Sequence, residues 1–259
     1  MLPTITIYGK TITMYGLMIV IGIFIGLVIA VQRRSKYNIK KDDVIFSSCY
    51  AGIGLIVGAK LVYIITIIPD LTRHWDKIME KPQILIGIIS GGFVFYGGLI
   101  GALIGYYIYA KQFKVNSIKL VALITPSIPI IHGFGRIGCF FAGCCYGINY
   151  QGPFHIVFKK SPAAPNGVPL FPIQLLEAGF NIIAGVLIII YARKERRSGQ
   201  IVGLYLMYYS IARFIFEFFR GDLARGVFLN ISTSQWISLG ILPIGVYLFF
   251  RLKSQKDNY

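Results

Sequence analysis

Two stretches carry polar chemistry into apolar surroundings. In the first, His132-Gly133-Phe134-Gly135-Arg136-Ile137-Gly138-Cys139 follows the apolar run 120–131 and continues through Cys144 and Cys145 to Gly147. An arginine at membrane depth is costly and is retained for function. His132 and Arg136 stand one helical turn apart. The permanent charge on the arginine disfavours protonation of the imidazole. A neutral imidazole is what a general base needs; the alternative is a histidine bonded within the bundle. In the second stretch, Tyr209, Arg213, Glu217 and Arg220 recur at i, i+4, i+8 and i+11, a spacing that places them on one helical face. A plain Arg213–Glu217 ion pair would explain part of this pattern. One glutamate cannot neutralise two arginines, however, and Arg136 adds a third cation. The expected surplus calls for an anion. In a bilayer that anion is a lipid phosphate, which the arginine fork suits.

The remaining reactive side chains have weaker readings. Cys139, Cys144 and Cys145 are spaced C-x4-C-C, which is not a standard zinc spacing, so no metal is expected. They read as small packing residues, or as a carrier thiol activated by Arg136. Tyr15 and Tyr96 stand at the outer end of the first apolar run and within the third. Each is either an aromatic-belt residue or a group that orients a head group. Asp222 is available to either Arg220 or Arg225, and His74 and His155 fall in loops.

The elements that must position these groups are membrane helices. The 259 residues are 56% hydrophobic and 14% charged, whereas soluble domains are about 25% charged. Seven apolar runs stand out, at 12–32, 44–65, 84–110, 120–141, 172–191, 201–219 and 235–250. The third is interrupted by Ser90-Gly91-Gly92 and by Gly97-Gly98, and Lys60 lies inside the second. The net charge of +16 comes mostly from basic residues in alternate short loops. That is the positive-inside pattern and not a nucleic-acid surface. An all-α, seven-span protein is expected, with its N-terminus outside and its C-terminus cytoplasmic. It reads as one domain over 1–259 with an extracytoplasmic insertion at 146–171. No cleavable leader is expected, because the first run is as long as a span. The glycines of the second and third runs suit close helix packing.

The stretch Gly135-Arg136-Ile137-Gly138-x-Phe140 through Gly147 resembles the signature of the bacterial prolipoprotein diacylglyceryl transferases. Tyr15-Gly16-Leu17-Met18, Gly97-Gly98-Leu99-Ile100-Gly101, and Arg213 with Glu217-Phe218-Phe219-Arg220 agree with it in order. The resemblance implies transfer of the diacylglyceryl group of phosphatidylglycerol to the lipobox cysteine of a preprolipoprotein signal peptide. Glycerol phosphate is released at the outer side of the cytoplasmic membrane, without metal or organic cofactor. Arg136 and Arg213 match the two arginines the family needs. Tyr15, Gly147, Tyr209, Glu217 and Arg220 match further site positions, and Gly97 and Gly98 match substrate-binding ones. The chain departs from the pattern at Tyr96, where the family has a histidine, and at Cys139 and Cys144, where it has an asparagine and an acidic residue. A tyrosine is a poor base near neutral pH. His132, or failing it Tyr96, is therefore expected to handle the thiol proton. Two other readings fit the residues: a related membrane lipid transferase with a different donor or acceptor, with an internal cysteine available as carrier, and a non-catalytic lipid or anion transporter.

Overall fold

A long apolar run in lipid must satisfy its own backbone hydrogen bonds, and the helix does so within a single segment. The computed structural model describes residues 3–73, 75, 83, 87, 91–222, 226–229 and 231–251. Its helices are α1 (Met14–Arg33), α2 (Lys41–Arg73), α3 (Phe95–Gln112), α4 (Ser117–Ile124), α5 (Ser127–Ala142), α6 (Ile173–Tyr191), α7 (Ser198–Phe216) and α8 (Thr233–Arg251). His74, Ser90, Arg225, Lys253 and Lys256 lie outside the described residues. The chain divides into a first unit, which runs to Arg33 and resumes at Val121, and a second, Arg34–Leu120.

Among the described residues five helices are long and apolar enough to cross a membrane, and the bent pair α4–α5 makes a sixth if it is counted as one span. The third run, 84–110, lies partly outside the described residues; within it α3 begins at Phe95, after a turn at Gly92 with φ +64°, and ends in Lys111 and Gln112. It runs straight through Gly97-Gly98, so only the first of the two expected interruptions exists. The run expected at 120–141 is broken by 44° between α4 and α5. The cause is Pro126, which cannot donate to the helix ladder and restricts Thr125 before it.

Within the first unit, α1 packs on α5, α5 on α6, and α7 on α8. Small residues allow the close approach: a Cβ on Gly22 would stand 2.7 Å from the Cβ of Phe134. A hairpin absent from the sequence reading, Thr4–Ile7 paired with Lys10–Thr13, precedes α1. Its two-residue turn, Tyr8-Gly9, has both φ angles positive, as a type I′ turn requires. The stretch between α5 and α6 has a small core of its own, Phe158, Ala164 and Leu170, beside the pairing of Ile156–Val157 with Pro169–Leu170.

The second unit is held by α2 against α3. The seam is glycine on glycine. A Cβ on Gly54 or Gly101 would collide with the other's carbonyl oxygen, and Gly58 and Gly97 oppose each other in the same way. This is the small-xxx-small packing that lets two backbones touch in lipid. Lys60 is held within this unit, donating to the Gly91 carbonyl at 2.7 Å and lying over the rings of Tyr63 and Phe93.

Candidate active site

The first unit gathers the polar groups that its helices carry. Arg136, near the end of α5, is buried and donates through Nε to Glu177 Oε2 on α6. Arg213, near the end of α7, places Nη1 3.5 Å from Glu177 Oε1 and Nη2 2.8 Å from Glu217 Oε2. Glu177, only 3% exposed, is thus shared by arginines from two helices. The contacts to Arg213 have ion-pair distances without hydrogen-bond angles, so Arg213 Nη1 and Glu177 Oε1 are buried with no hydrogen-bond partner among the described residues. Arg136 uses Nε alone, which leaves its terminal nitrogens without a recorded acceptor in the same set.

Glu177 corrects the charge argument made from sequence. Arg136 and Arg213 face two carboxylates, Glu177 and Glu217, and Arg220 has its own partner in Asp222. The expected cation surplus does not exist. Sequence reasoning missed Glu177 although the signal was available, since it is the sole acidic residue inside the apolar run 172–191. The rule that singles out Arg136 applies equally to it. A surplus is not required for anion binding, because each guanidinium carries five donors and one carboxylate cannot use them all.

The expected helical face at 209–220 holds only in part. Tyr209 and Arg213 are on α7, but the helix tightens into a 3-10 turn at Glu217–Phe219, and Arg220 is extended with ψ 138°. Arg220 therefore leaves the helix face and pairs across a β-bridge with Gly147. Ile148 N donates to the Phe219 carbonyl at 3.0 Å and Gly221 N to the Tyr146 carbonyl at 2.9 Å, on either side of that bridge. Gly147 has no room for a side chain, as a Cβ would collide with the Phe171 carbonyl oxygen. Arg220 is fixed by a bidentate pair to Asp222, Nε–Oδ1 2.9 Å and Nη2–Oδ2 2.6 Å. Burial opposes its charge, but the Asp222 carboxylate, together with Cys145 and Glu177 nearby, lifts its pKa above the ordinary arginine value.

His132 lies one turn before Arg136 and tilts against the Tyr209 ring at 5.9 Å between centroids. It has no hydrogen-bond partner among the described residues. Tyr15, at the start of α1, backs onto Gly138, where a Cβ would stand 3.1 Å from the Tyr15 carbonyl oxygen. His155 makes only a local contact, 3.0 Å from the Gly152 carbonyl. Arg136, Arg213, His132, Tyr209, Glu217, Arg220, Gly147 and Tyr15 all belong to the first unit. Tyr96, Gly97 and Gly98 belong to the second. There Tyr96 is 40% exposed with its ring edge-on to Phe95, while the two glycines face α2.

Apolar helices that bring arginines and carboxylates together in a buried cluster define a multi-pass membrane protein. The comparisons make this specific. The prolipoprotein diacylglyceryl transferase family model matches residues 3–251. A phosphatidylglycerol–prolipoprotein diacylglyceryl transferase of Clostridium tetani is 40% identical over 244 residues, covering 94% of each chain. The second such transferase of Clostridium perfringens is 35% identical over 254 residues, covering 97% of this chain and 96% of its own. That of Idiomarina loihiensis is 32% identical over 229 residues, covering 86% and 82%. The chain belongs to the prolipoprotein diacylglyceryl transferase family, and it is a transferase of lipoprotein biosynthesis.

Proposed function

We propose that this chain moves the diacylglyceryl group of phosphatidylglycerol onto the thiol of a lipobox cysteine in a preprolipoprotein. The observation that carries the reading beyond family membership is the pair of orphaned atoms in the buried cluster. Arg213 Nη1 and Glu177 Oε1 form an ion pair at 3.5 Å, yet neither has a hydrogen-bond partner among the described residues. Buried polar groups in a native protein are paired, so the site suits a ligand that presents acceptors and donors together. A phosphoglycerol head group does so through its phosphate oxygens and its hydroxyls.

In the proposed reaction the cysteine sulfur attacks the glycerol carbon of the donor. The carbon–sulfur bond forms as the carbon–oxygen bond to phosphate breaks. Glycerol phosphate leaves with the electron pair, and the thiol proton passes to a base. Arg136 and Arg213 bind the phosphate and stabilise the charge that develops on the leaving oxygen; held beforehand by carboxylates, they need little reorganisation. Glu177 and Glu217 position the two guanidiniums, and Arg220, through Gly147, fixes the loop beyond them. His132 takes the proton, with its unpartnered imidazole and its place beside Arg136 as support. Tyr15 and Tyr209 contact substrate. Tyr96 as the alternative base, and Gly97 and Gly98 as substrate-binding positions, rest on the family resemblance alone.

We also propose seven spans, an outside N-terminus, a cytoplasmic C-terminus and an extracytoplasmic segment at 146–171, in the bacterial cytoplasmic membrane. The support is the alternation of basic loops, with Arg33, Arg34, Lys36, Lys40 and Lys41 after the first run and Arg193, Lys194, Arg196 and Arg197 after the fifth.

The direct test is purified protein in liposomes with labelled phosphatidylglycerol and a lipobox peptide, beside the same peptide with its cysteine replaced by serine. Glycerol phosphate release with a diacylglyceryl mass gain on the cysteine peptide alone is the expected result. Lipid movement across the bilayer without acceptor peptide, and no mass gain, would favour a transporter instead.

A further inference from the structure

The thiols at the end of α5 are more than packing residues. Helix α5 stops at Ala142 because Gly143 adopts φ +71°. Gly143 N then donates to the Phe140 carbonyl at 3.3 Å and Cys144 N to the Cys139 carbonyl at 3.2 Å. This is the Schellman arrangement, which brings the residue after the glycine against the one five positions earlier. Those two positions are usually apolar; here both are cysteines. Cys145, also at positive φ (53°), turns the chain again, and Gln174 Nε2 pins the loop through the Cys144 carbonyl at 3.0 Å. The outcome is three free, partly buried thiols whose sulfurs all lie within 4.8 Å of one another. The C-x4-C-C spacing argues against a metal only if the ligands come from a hairpin or a continuous helix. A helix that caps between them achieves the same convergence.

Sulfurs sharing one cation at a Zn–S distance of ~2.3 Å stand roughly 3.8 Å apart. The three sulfurs, all within 4.8 Å of one another, are close to that spacing. Cys145 also lies within electrostatic reach of both Arg136 and Arg220. A divalent cation held by three thiolates is a net anion, so the neighbouring guanidiniums favour the loaded centre over a bare cation.

We propose that Cys139, Cys144 and Cys145 form a three-thiolate site for a soft divalent d10 cation of the Zn(II)/Cd(II) class, distinct from the transfer chemistry. On binding, each thiol loses its proton to the buffer as a metal–sulfur bond forms, and water completes the coordination. Nothing is oxidised or reduced.

The reduced, full-length protein in detergent is titrated with Cd(II) and followed by sulfur-to-cadmium charge-transfer absorption. Zn(II) retained after desalting is measured by elemental mass spectrometry. A single equivalent per chain is expected. It should be lost in each of Cys139→Ser, Cys144→Ser and Cys145→Ser and kept in Cys49→Ser, whose thiol is exposed on α2 of the other unit. Should the serine variants fold poorly, wild-type protein is alkylated with and without Zn(II) and mapped by mass. Zinc should shield the three clustered thiols and leave Cys49 reactive. No retained metal in the reduced protein, retention in Cys145→Ser, or equal alkylation of all four cysteines with zinc present would each overturn the proposal.

Discussion

At the scale of the residue, the consequential group is Glu177. It holds one arginine through a short contact and a second at ion-pair distance. Removing one member of a buried charge network leaves the others uncompensated, at a cost of about 3–5 kcal/mol. Glu177→Gln should therefore lower thermal stability in detergent by that order. It should also reduce transfer roughly a hundredfold, the scale seen when one preorganised donor is disturbed. A variant with wild-type melting and wild-type rate would remove Glu177 from the site. His132 calls for a different experiment, because its ring lies against Tyr209 and makes no hydrogen bond among the described residues. His132→Ala should fold normally and lose most of its transfer rate, by ~10²–10⁴-fold for a lost general base. Undiminished transfer would move the proton to another group, Tyr96 first.

At the scale of the element, the seam between the end of α7 and the segment after α5 matters more than either helix alone. The 3-10 turn carries Arg220 out of the helix and onto Gly147, and Gly147 tolerates no Cβ against Phe171. Gly147→Ala should break the bridge, cost about 1–3 kcal/mol as an overpacking change, and lose activity through displacement of Arg220. Gly179→Ala on α6 is the matched control, since a Cβ there meets nothing within 4 Å; it should melt no lower than the parent and transfer normally. Equal losses in both variants would mean that glycine content, and not this seam, governs the site.

At the scale of the whole molecule, the surface is that of a protein dissolved in lipid. Phe24, Ile53 and Ile183 are more than half exposed, while the buried set includes Arg136, Glu177, Glu217 and Arg220. Lipid tails are as apolar as the side chains they touch, so helices associate through small residues and polar contacts instead. At about 1.5 Å per residue, the 33-residue α2 is roughly 50 Å long and exceeds a hydrocarbon core of about 30 Å, so part of it stands in the interface or beyond. The proposed orientation has a simple check. Alkaline phosphatase fused after Asn166 should be active in cells and the same reporter fused after Lys194 inactive; the reverse pattern would invert the topology.

Hydropathy and charge alone determined that the chain crosses a membrane, roughly where most of its helices lie, and that Arg136 and Arg213 are set in costly places. These properties are local: a run of apolar residues, or a charge within one, has the same meaning whatever surrounds it. Family resemblance read from four short motifs placed the chain correctly, because those motifs are contiguous. What surrounds the arginines was decided by tertiary structure. Glu177 on α6 is shared between Arg136 and Arg213, a partnership between helices that spacing along one chain segment cannot reveal. Arg220 leaves its expected face because a helix end tightens, and helix ends answer to the segment they meet. The three cysteines converge because a left-handed glycine caps α5, so an unpromising spacing closes into a cluster. In each case the deciding interaction joins residues through a turn or across helices, and only the folded chain supplies that geometry.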